Sequence, residues 1–457
     1  MKTIAVAWIA VIATLAASNS ASAQEAPARP SAGARIITFQ EAIRIALEQN
    51  ISVRAAANSA ALGKVGVAEA RSQFLPNLTA STTGSKNFGR SVDENEVVSN
   101  QTTNSVSLGL NTGITLFDGF GNVAQLRGAK LSDAASEQEL HRARETVAFD
   151  VASNFLALIQ RQEQLRVQRE NLQAVTELER QIQTFVDNGA RTIADLYQQQ
   201  ANAASARFAV VDAERTAELA KVDLMQTLKL DPTGIYEFQA PEDTTAAAAN
   251  TQLDLGVLQT RAAGQRIDLK AEQARVDAAD QSIRVAKSNR WPTVSLNGGY
   301  SSSYNSARDD LSFSDQLDLR RGGSVSLGVQ VPIFDRFQTS NATRRAEIQA
   351  DNERLNLENL QQDVALQVRR AHLDFNAAKE QLVVAEAQVR AAELSLQASQ
   401  DRYTAGASTL VEVTQAQAAQ VQAASSLVTA KFNLQFQRTL MDYYTGDLDP
   451  VKLGGVP

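Results

Sequence analysis

Apolar and polar residues alternate along short segments in both halves of the chain. In residues 105–116 and 324–333, valine, leucine or isoleucine takes nearly every second position, with mostly serine, glycine, asparagine or threonine between them. This period of two sends successive side chains to opposite faces of a strand, so one face meets an apolar medium and the other meets water. Residues 78–87 and 294–304 alternate more weakly. The sequence therefore predicts two strand pairs. The loops within the pairs are polar and are expected to be solvated, at 88–104 and 305–323.

Helical stretches surround each strand pair. Apolar residues spaced seven apart run from Val151 to Leu172 and again from Val368 to Tyr403, a seam typical of coiled-coil packing. At about 1.5 Å per residue, a helix over 65 residues would extend ~95 Å. The predicted long helices are 122–186, 192–230, 337–403 and 409–446. Shorter helices are predicted before the strands, at 39–73 and 255–290, each ended by a proline that disfavours helix in the residue before it.

The two halves of the chain are duplicates. Residues 75–78 align with 291–294, and the Phe-Asp-x-Phe segment at 117–120 aligns with 334–337. The order of elements is the same around both sets of matches, which is the signature of an internal repeat. The predicted divisions are an N-terminal segment at 24–36, repeats at 37–231 and 253–447, a connector at 232–252 and a C-terminal tail at 448–457.

The first residues predict export. Lys2 precedes an apolar run from residue 4 to residue 17, and small residues at 21–23 provide a cleavage site before Gln24. The run falls short of the ~20 residues that a membrane-spanning helix needs. We therefore interpret residues 1–23 as a signal peptide rather than as a retained membrane anchor.

Composition narrows the class of protein further. The chain of 457 residues carries 44 basic and 51 acidic residues, so it lacks the basic surface expected of a nucleic-acid partner. It has no cysteine, which excludes disulfides and a lipid on an N-terminal cysteine. Because no segment after the leader reaches ~18 consecutive apolar residues, the remaining classes are a soluble periplasmic protein and an outer-membrane barrel.

Four strands are too few for a closed barrel, which requires about eight. An open sheet in lipid would leave backbone groups unpaired at a cost of several kcal/mol each. The sheet must therefore close with other copies of the chain. Three copies would supply twelve strands, although alternation alone is equally compatible with two or four.

The order of elements, the duplication and the turn motifs resemble the TolC family of outer-membrane efflux proteins. The Phe-Asp-x-Phe segments carry the resemblance together with a Gly-x-x-Thr-x-x-Asp/Glu-x-x-x-x-Gln pattern at 189–200 and 406–417. It implies a homotrimer with a 12-stranded barrel in outer-membrane lipid, a helical barrel crossing the periplasm, and an equatorial belt of connector and tail. The implied partners are a periplasmic adaptor and an inner-membrane transporter, for drug efflux or type I secretion.

The two helix turns are the candidate adaptor-docking tips, since glycine permits the left-handed conformation that ends a helix. Their residues are Asn188, Gly189 and Ala190 in the first half, and Ala405, Gly406 and Ala407 in the second. An ordinary helix end explains the same residues without a partner. The resemblance adds the expectation that these tips dock the adaptor.

Acidic residues beyond each tip are candidates for the periplasmic entrance. The resemblance implies that Glu412 forms a ring of three carboxylates, which would attract cations; a solvated helix face is the alternative for both Glu412 and Asp195. The family's second acid is replaced by Gln415, which predicts a weaker or single ring.

The resemblance also implies tethers that hold the entrance closed. Asp195 and Tyr403 match the family's acid and tyrosine, but Ser408 stands where its arginine would be. Arg191 occupies the equivalent first-half position. We therefore expect either that Arg191 replaces the missing arginine or that the latch is looser.

Other residue types carry no catalytic or cofactor prediction. His141 and His372 are the only histidines and fall on long helices, and no Walker loop, nucleophile elbow or zinc-spaced cluster is present. Trp291 fits an interfacial anchor or simple packing. The rival functions are a non-pore periplasmic coiled-coil scaffold, which leaves the strand pairs unexplained, and an envelope enzyme.

Overall fold

The computed structural model describes residues 35–92, 98–239, 253–307 and 311–450. The predicted signal peptide, most of the connector and most of the tail lie outside the described residues. The elements of the first half are β1 (Arg35–Thr38), α1 (Phe39–Gln49), α2 (Ile51–Ser72), β2 (Asn77–Val92), β3 (Val98–Phe117), α3 (Gly121–Asp187) and α4 (Ile193–Leu228), followed by β4 (Tyr236–Gln239). Those of the second half are α5 (Leu255–Gln265), α6 (Ile267–Ser288), β5 (Thr293–Asn305), α7 (Phe313–Leu319), β6 (Gly322–Gln330), α8 (Gln338–Thr404) and α9 (Leu410–Thr445).

The internal repeat is visible in the lengths of the helices. α3 and α8 each have 67 residues, and α4 and α9 each have 36. The shorter pair that precedes each set of strands has 11 and 22 residues in both halves. The fold is thus mostly helical, with two copies of one arrangement of elements. Among the described residues, no helix has the length and hydrophobicity needed to span a membrane.

Each predicted short helix is broken in two by a residue with an extended backbone. Asn50 has φ −65° and ψ 131°, and its side chain accepts a hydrogen bond from the backbone N–H of Ser52 at 2.8 Å. Asn50 therefore caps α2 while its own N–H closes α1. Arg266 holds the equivalent place between α5 and α6. The prediction of a single helix at 39–73 and at 255–290 was therefore wrong in both halves. The apolar periodicity continues on both sides of each junction, so the sequence pattern does not reveal the break.

Four of the strands form one antiparallel sheet in the order β2-β3-β5-β6. Directly opposed residues share a face: Leu110 lies opposite Ala80 and Tyr300, and Ile114 opposite Leu296. We call this side, with Val325, Leu327 and Val329 of β6, the apolar face. The other side, which we call the polar face, presents serine, threonine, asparagine and glycine, and in the described strands it carries no charged residue. Polar-face examples are Thr79, Ser107, Asn111, Ser295, Asn297, Ser301, Ser324 and Ser326.

The predicted strand limits need correction at both hairpins. The predicted loop 88–104 is mostly strand, since β2 continues to Val92 and β3 begins at Val98. Apart from Phe88, Val92 and Val98, this extension is polar on both faces, so the sustained period of two that reveals a half-apolar strand is missing. In the second hairpin, the predicted loop 305–323 contains α7. β6 ends at Gln330 rather than at residue 333, where Pro332 cannot donate a ladder hydrogen bond.

Two tight junctions lead from the sheet into the long helices. Phe120 and Phe337 both adopt left-handed conformations, with φ 66° and 63°. Asp118 and Asp335 then accept hydrogen bonds from the first helical N–H groups, those of Asn122 at 2.6 Å and Thr339 at 2.7 Å. The Phe-Asp-x-Phe segments are thus helix-capping turns. Trp291 packs beside Gly119, where a Cβ added to the glycine would lie 2.7 Å from the Cβ of the tryptophan, and the tryptophan is 60% exposed. Its role as an interfacial anchor stays a prediction.

The helices lie side by side in the order α4, α3, α9 and α8, with α2 and α6 continuing the layer towards the sheet. One core joins α1, α3 and α4 to the small parallel sheet of β1 and β4, around Ile37, Phe155 and Phe238. A second core joins α5, α8 and α9 around Phe375 and Leu434. The two cores occupy equivalent places in the two halves, at the level where the short and long helices meet.

Candidate functional site

The two helix turns far from the sheet have the same backbone geometry. Ala190 donates to the carbonyl of Phe185 at 2.7 Å and Gly189 to that of Val186 at 2.9 Å. Ala407 and Gly406 make the corresponding bonds at 2.8 and 3.0 Å. This pattern is a Schellman motif, which requires the left-handed glycine observed at both places, with φ 70° and 76°. All six predicted tip residues are exposed, and a Cβ added at either glycine meets no atom within 4 Å.

A shared core holds the two turns together. Leu178, Ile182 and Leu196 of the first half pack with Tyr403, Leu410 and Val413 of the second. Burial of these side chains makes the two turns a single unit rather than two independent hairpins. The predicted entrance residues are therefore assembled on one packed end of the helical layer.

Arg191 and Tyr403 meet across this end. The guanidinium carbon of Arg191 lies 4.1 Å from the centre of the Tyr403 ring, and the same group donates to the Tyr403 carbonyl oxygen. A cation above an aromatic face contributes about 0.5–2 kcal/mol. From the sequence, we expect either that Arg191 replaces the missing arginine or that the latch is looser. The structure brings Arg191 to the tyrosine, and its role in a latch stays a prediction.

Tyr403 itself is buried, with 1% of its surface exposed. Burial raises the pKa of its phenol, Arg191 opposes that rise and Asp195 adds to it. Its hydroxyl has no hydrogen-bond partner within the described part of the chain. In a single chain, the Asp195 carboxylate does not bond this hydroxyl but accepts a hydrogen bond from the backbone N–H of Thr192. The Thr192 hydroxyl in turn accepts a hydrogen bond from the backbone N–H of Asp195. The two bonds form a capping box at the start of α4.

Glu412 has a counter-ion that sequence reasoning missed. Its Oε2 accepts from the Ser408 hydroxyl at 2.7 Å and lies 3.5 Å from Nη1 of Arg402. Arg402 also donates to the Ala407 carbonyl at 3.3 Å, which ties it across the turn. Alignment of the two repeats could have indicated this pair. The first-half equivalent of Arg402 is Phe185, so the second half alone has a basic residue at this position, close in sequence to Glu412.

Gln415 is exposed on the same helix, three residues beyond Glu412. Residues three apart share a helix face. This surface therefore presents the amide of Gln415 beside the carboxylate of Glu412, whose charge is partly neutralised by Arg402. Within the described residues, no group of three or more histidine, aspartate or glutamate side chains is placed to hold a metal ion.

Comparison with known proteins agrees with this architecture. The family model described as outer membrane efflux protein matches residues 42–228 and 258–445, one match in each half. The outer membrane efflux protein BepC of Brucella suis is 23% identical over 85% of this chain and 80% of its own length. The outer membrane protein TolC of Vibrio cholerae is 24% identical over 80% of this chain and 81% of its own length.

A solved structure shares the fold. The outer membrane protein VceC of Vibrio cholerae superposes with a TM-score of 0.77 at 18% identity, covering 89% of this chain and 96% of VceC. At that identity the likeness concerns the fold alone.

Proposed function

The chain belongs to the outer membrane efflux protein family, and from that premise we propose that three copies form the passive exit duct of a tripartite efflux or type I secretion system. It is a protein of the outer membrane. In the proposed duct, an inner-membrane transporter delivers substrates through a periplasmic adaptor. The proposed repeats are 37–231 and 253–447, with the connector 232–252 and the tail 448–457 as an equatorial belt.

The two unlike faces of the sheet are the observation that carries this proposal. The apolar face suits lipid, while the uncharged polar face suits a water-filled lumen. β2 and β6 are left with open edges, and an open edge in lipid costs several kcal/mol for each unpaired group. Pairing β2 of one copy with β6 of the next closes the ring, and three copies give twelve strands. A non-pore periplasmic scaffold would not explain a sheet with one exposed apolar face and one uncharged polar face.

The helical layer supports the same closure. α4 lies at one edge of the layer, with exposed apolar side chains on it: Tyr197, Phe208, Val211, Leu219 and Val222. α8 lies at the other edge, and its exposed apolar side chains include Leu366, Leu373, Val383 and Leu394. Two different apolar edges fit a head-to-tail ring, in which α4 of each copy packs on α8 of the next. This arrangement supports the proposed helical coiled-coil barrel.

The exposed tips are proposed to dock the adaptor. Replacing Gly406 with phenylalanine should abolish export while trimers still reach the outer membrane, because the bulky side chain would project into open space where the adaptor helix packs. Gly406→Ala is the matched control: it imposes the same left-handed strain of about 1–2 kcal/mol but adds only a methyl group, and we expect export to persist. Substrate accumulation in a strain lacking its own duct measures both. Normal export by Gly406→Phe would refute docking here.

Arg402 should set the cation sensitivity of the entrance. In the assembled duct, Arg402→Gln should strengthen block by a trivalent cation complex about a hundredfold, since a unit charge ~4 Å from a bound cation changes its energy by about 1 kcal/mol per unit of cation charge in water, or about 3 kcal/mol for a trivalent ion. Glu412→Gln, alone or combined with Arg402→Gln, should remove the block. Single-channel recordings with the cation on the entrance side measure this. Equal block in wild type and Arg402→Gln would show that the ion pair does not form in the trimer.

A further inference from the structure

A basic strip lies on the outer part of β2. Lys86, Phe88 and Arg90 are spaced two apart and therefore point to the same side of the strand. The register places Lys86 opposite Asn104 and Phe88 opposite Thr102, which is the apolar face continued past Val106, where the facing positions of β3 become polar. Phe88 is 75% exposed, and the Lys86 ammonium lies 5.6 Å from its ring centre.

The height of this strip follows from the strand geometry. On β3 the apolar face runs from Leu116 back to Val106, ten residue steps or about 34 Å along the strand. At the usual tilt of about 40° this spans ~26 Å, matching the apolar band of ~25 Å in outer-membrane barrels. Lys86 is paired with Asn104, two residue steps past that band, and it also lies beyond Asn305, where β5 ends. The strip therefore reaches the level of the lipid headgroups.

The helices leave the sheet at its other end, so this headgroup level belongs to the outer leaflet. The simpler explanation, that charges on β2 merely protect an edge strand, predicts charges along the whole strand. Instead, residues 77–85 of β2 carry none. An exposed phenylalanine between two cations is also characteristic of a membrane interface, where aromatic rings are enriched. Within the described residues neither Lys86 nor Arg90 takes part in an ion pair with an acidic side chain.

We propose that Lys86, Phe88 and Arg90 form a binding site for a phosphorylated lipid headgroup of the outer leaflet, one site per copy. The lysine ammonium and the arginine guanidinium would donate to phosphate oxygens, and the Phe88 ring would lie at the boundary of the acyl chains. The proposal rests on the barrel proposed above, which sets the height of the strip.

The test compares lipid retention by purified trimers, using native mass spectrometry with diphosphoryl lipid A as the probe. Each basic side chain near an anionic membrane surface contributes about a fivefold gain in affinity, so Lys86→Gln with Arg90→Gln should weaken binding roughly 25-fold. The control pair, Arg71→Gln with Arg290→Gln, removes two exposed basic residues at the opposite end of the sheet and should bind as the wild type does. Neutral phosphatidylcholine should be unaffected by either pair.

Unchanged affinity in the Lys86/Arg90 variant would overturn the proposal, as would an equal loss in the control pair. Inorganic phosphate at matched ionic strength should not displace the lipid more than chloride does. Displacement by phosphate would assign the strip to free anions instead of a membrane lipid. All variants are first shown to be trimers that conduct ions. A failure of that step contradicts the proposed duct, whereas unchanged lipid affinity in a conducting trimer contradicts only the lipid site.

Discussion

Replacing Leu110 with arginine should prevent stable insertion of the sheet, whereas the same replacement at the adjacent Asn111 should be tolerated. Both residues lie near the middle of β3, but Leu110 is on the apolar face and Asn111 on the polar face. An arginine at the lipid-facing midplane of a barrel costs about 2–4 kcal/mol. Because each trimer would carry three such residues, the total cost would approach or exceed the stability of an ordinary domain.

Ion selectivity provides a second, independent measurement for the pair of variants Leu110→Arg and Asn111→Arg. The described polar face carries no charged residue, so Asn111→Arg would place three cations in an otherwise neutral lumen. We expect the variant duct to shift its selectivity towards anions. Heat-dependent dissociation of extracted trimers measures insertion, and reversal potentials in a salt gradient measure selectivity. Equal tolerance of arginine at both positions would contradict the assignment of the two faces.

Removing Arg142 should have the second largest effect. Arg142 lies 2.9 Å from Glu145, a carboxylate with 4% of its surface exposed, and 4.1 Å from the ring of Tyr443. Arg142→Ala would leave Glu145 buried without its partner, a change that typically costs 3–5 kcal/mol. The matched control is Arg166→Ala, since Arg166 bonds Glu163 and Glu170 in solvent and exposed pairs contribute about 0–1 kcal/mol.

The effect of Arg142→Ala should also depend on pH. Burial raises the pKa of Glu145, and the hydrogen bond and charge of Arg142 oppose that rise. Without Arg142 the pKa of Glu145 should rise further, so the carboxyl takes up a proton more readily as the pH falls. The difference in dissociation temperature between variant and wild type should therefore narrow below the pKa of Glu145. A difference that is the same at pH 7 and in mild acid would show that lost packing, rather than an unpaired charge, is the cause.

Sequence periodicity reports the environment of an element more directly than the element itself. Residues 105–116 were recognised as strand because one of their faces is apolar. The continuation of the same strand towards Val98 is predicted as loop from the sequence, because a strand whose two faces are both mainly polar shows no sustained alternation. The helix breaks at Asn50 and Arg266 were missed for a related reason, since the apolar spacing continues on both sides of each junction.

At the candidate entrance, local signals were predictable and cross-turn contacts were not. The glycines of the two tips followed from the requirement for a left-handed helix end. The pairing of Arg402 with Glu412 joins residues on opposite sides of a turn, and no spacing rule within one helix predicts it. The contact of Arg191 with Tyr403 joins the two halves of the chain, so no local pattern predicts it. Only the internal repeat and the family resemblance indicated that these two residues could be related.

The central proposal, a passive duct closed from three copies, is tested most directly by conductance. Purified wild-type protein, extracted as a heat-dissociable trimer, is added to a planar lipid bilayer at low concentration. We expect discrete conductance steps of uniform size from the trimer fraction and none from the heat-dissociated chain. A stable trimer that inserts into the bilayer without conducting, or a single chain that conducts alone, would contradict it.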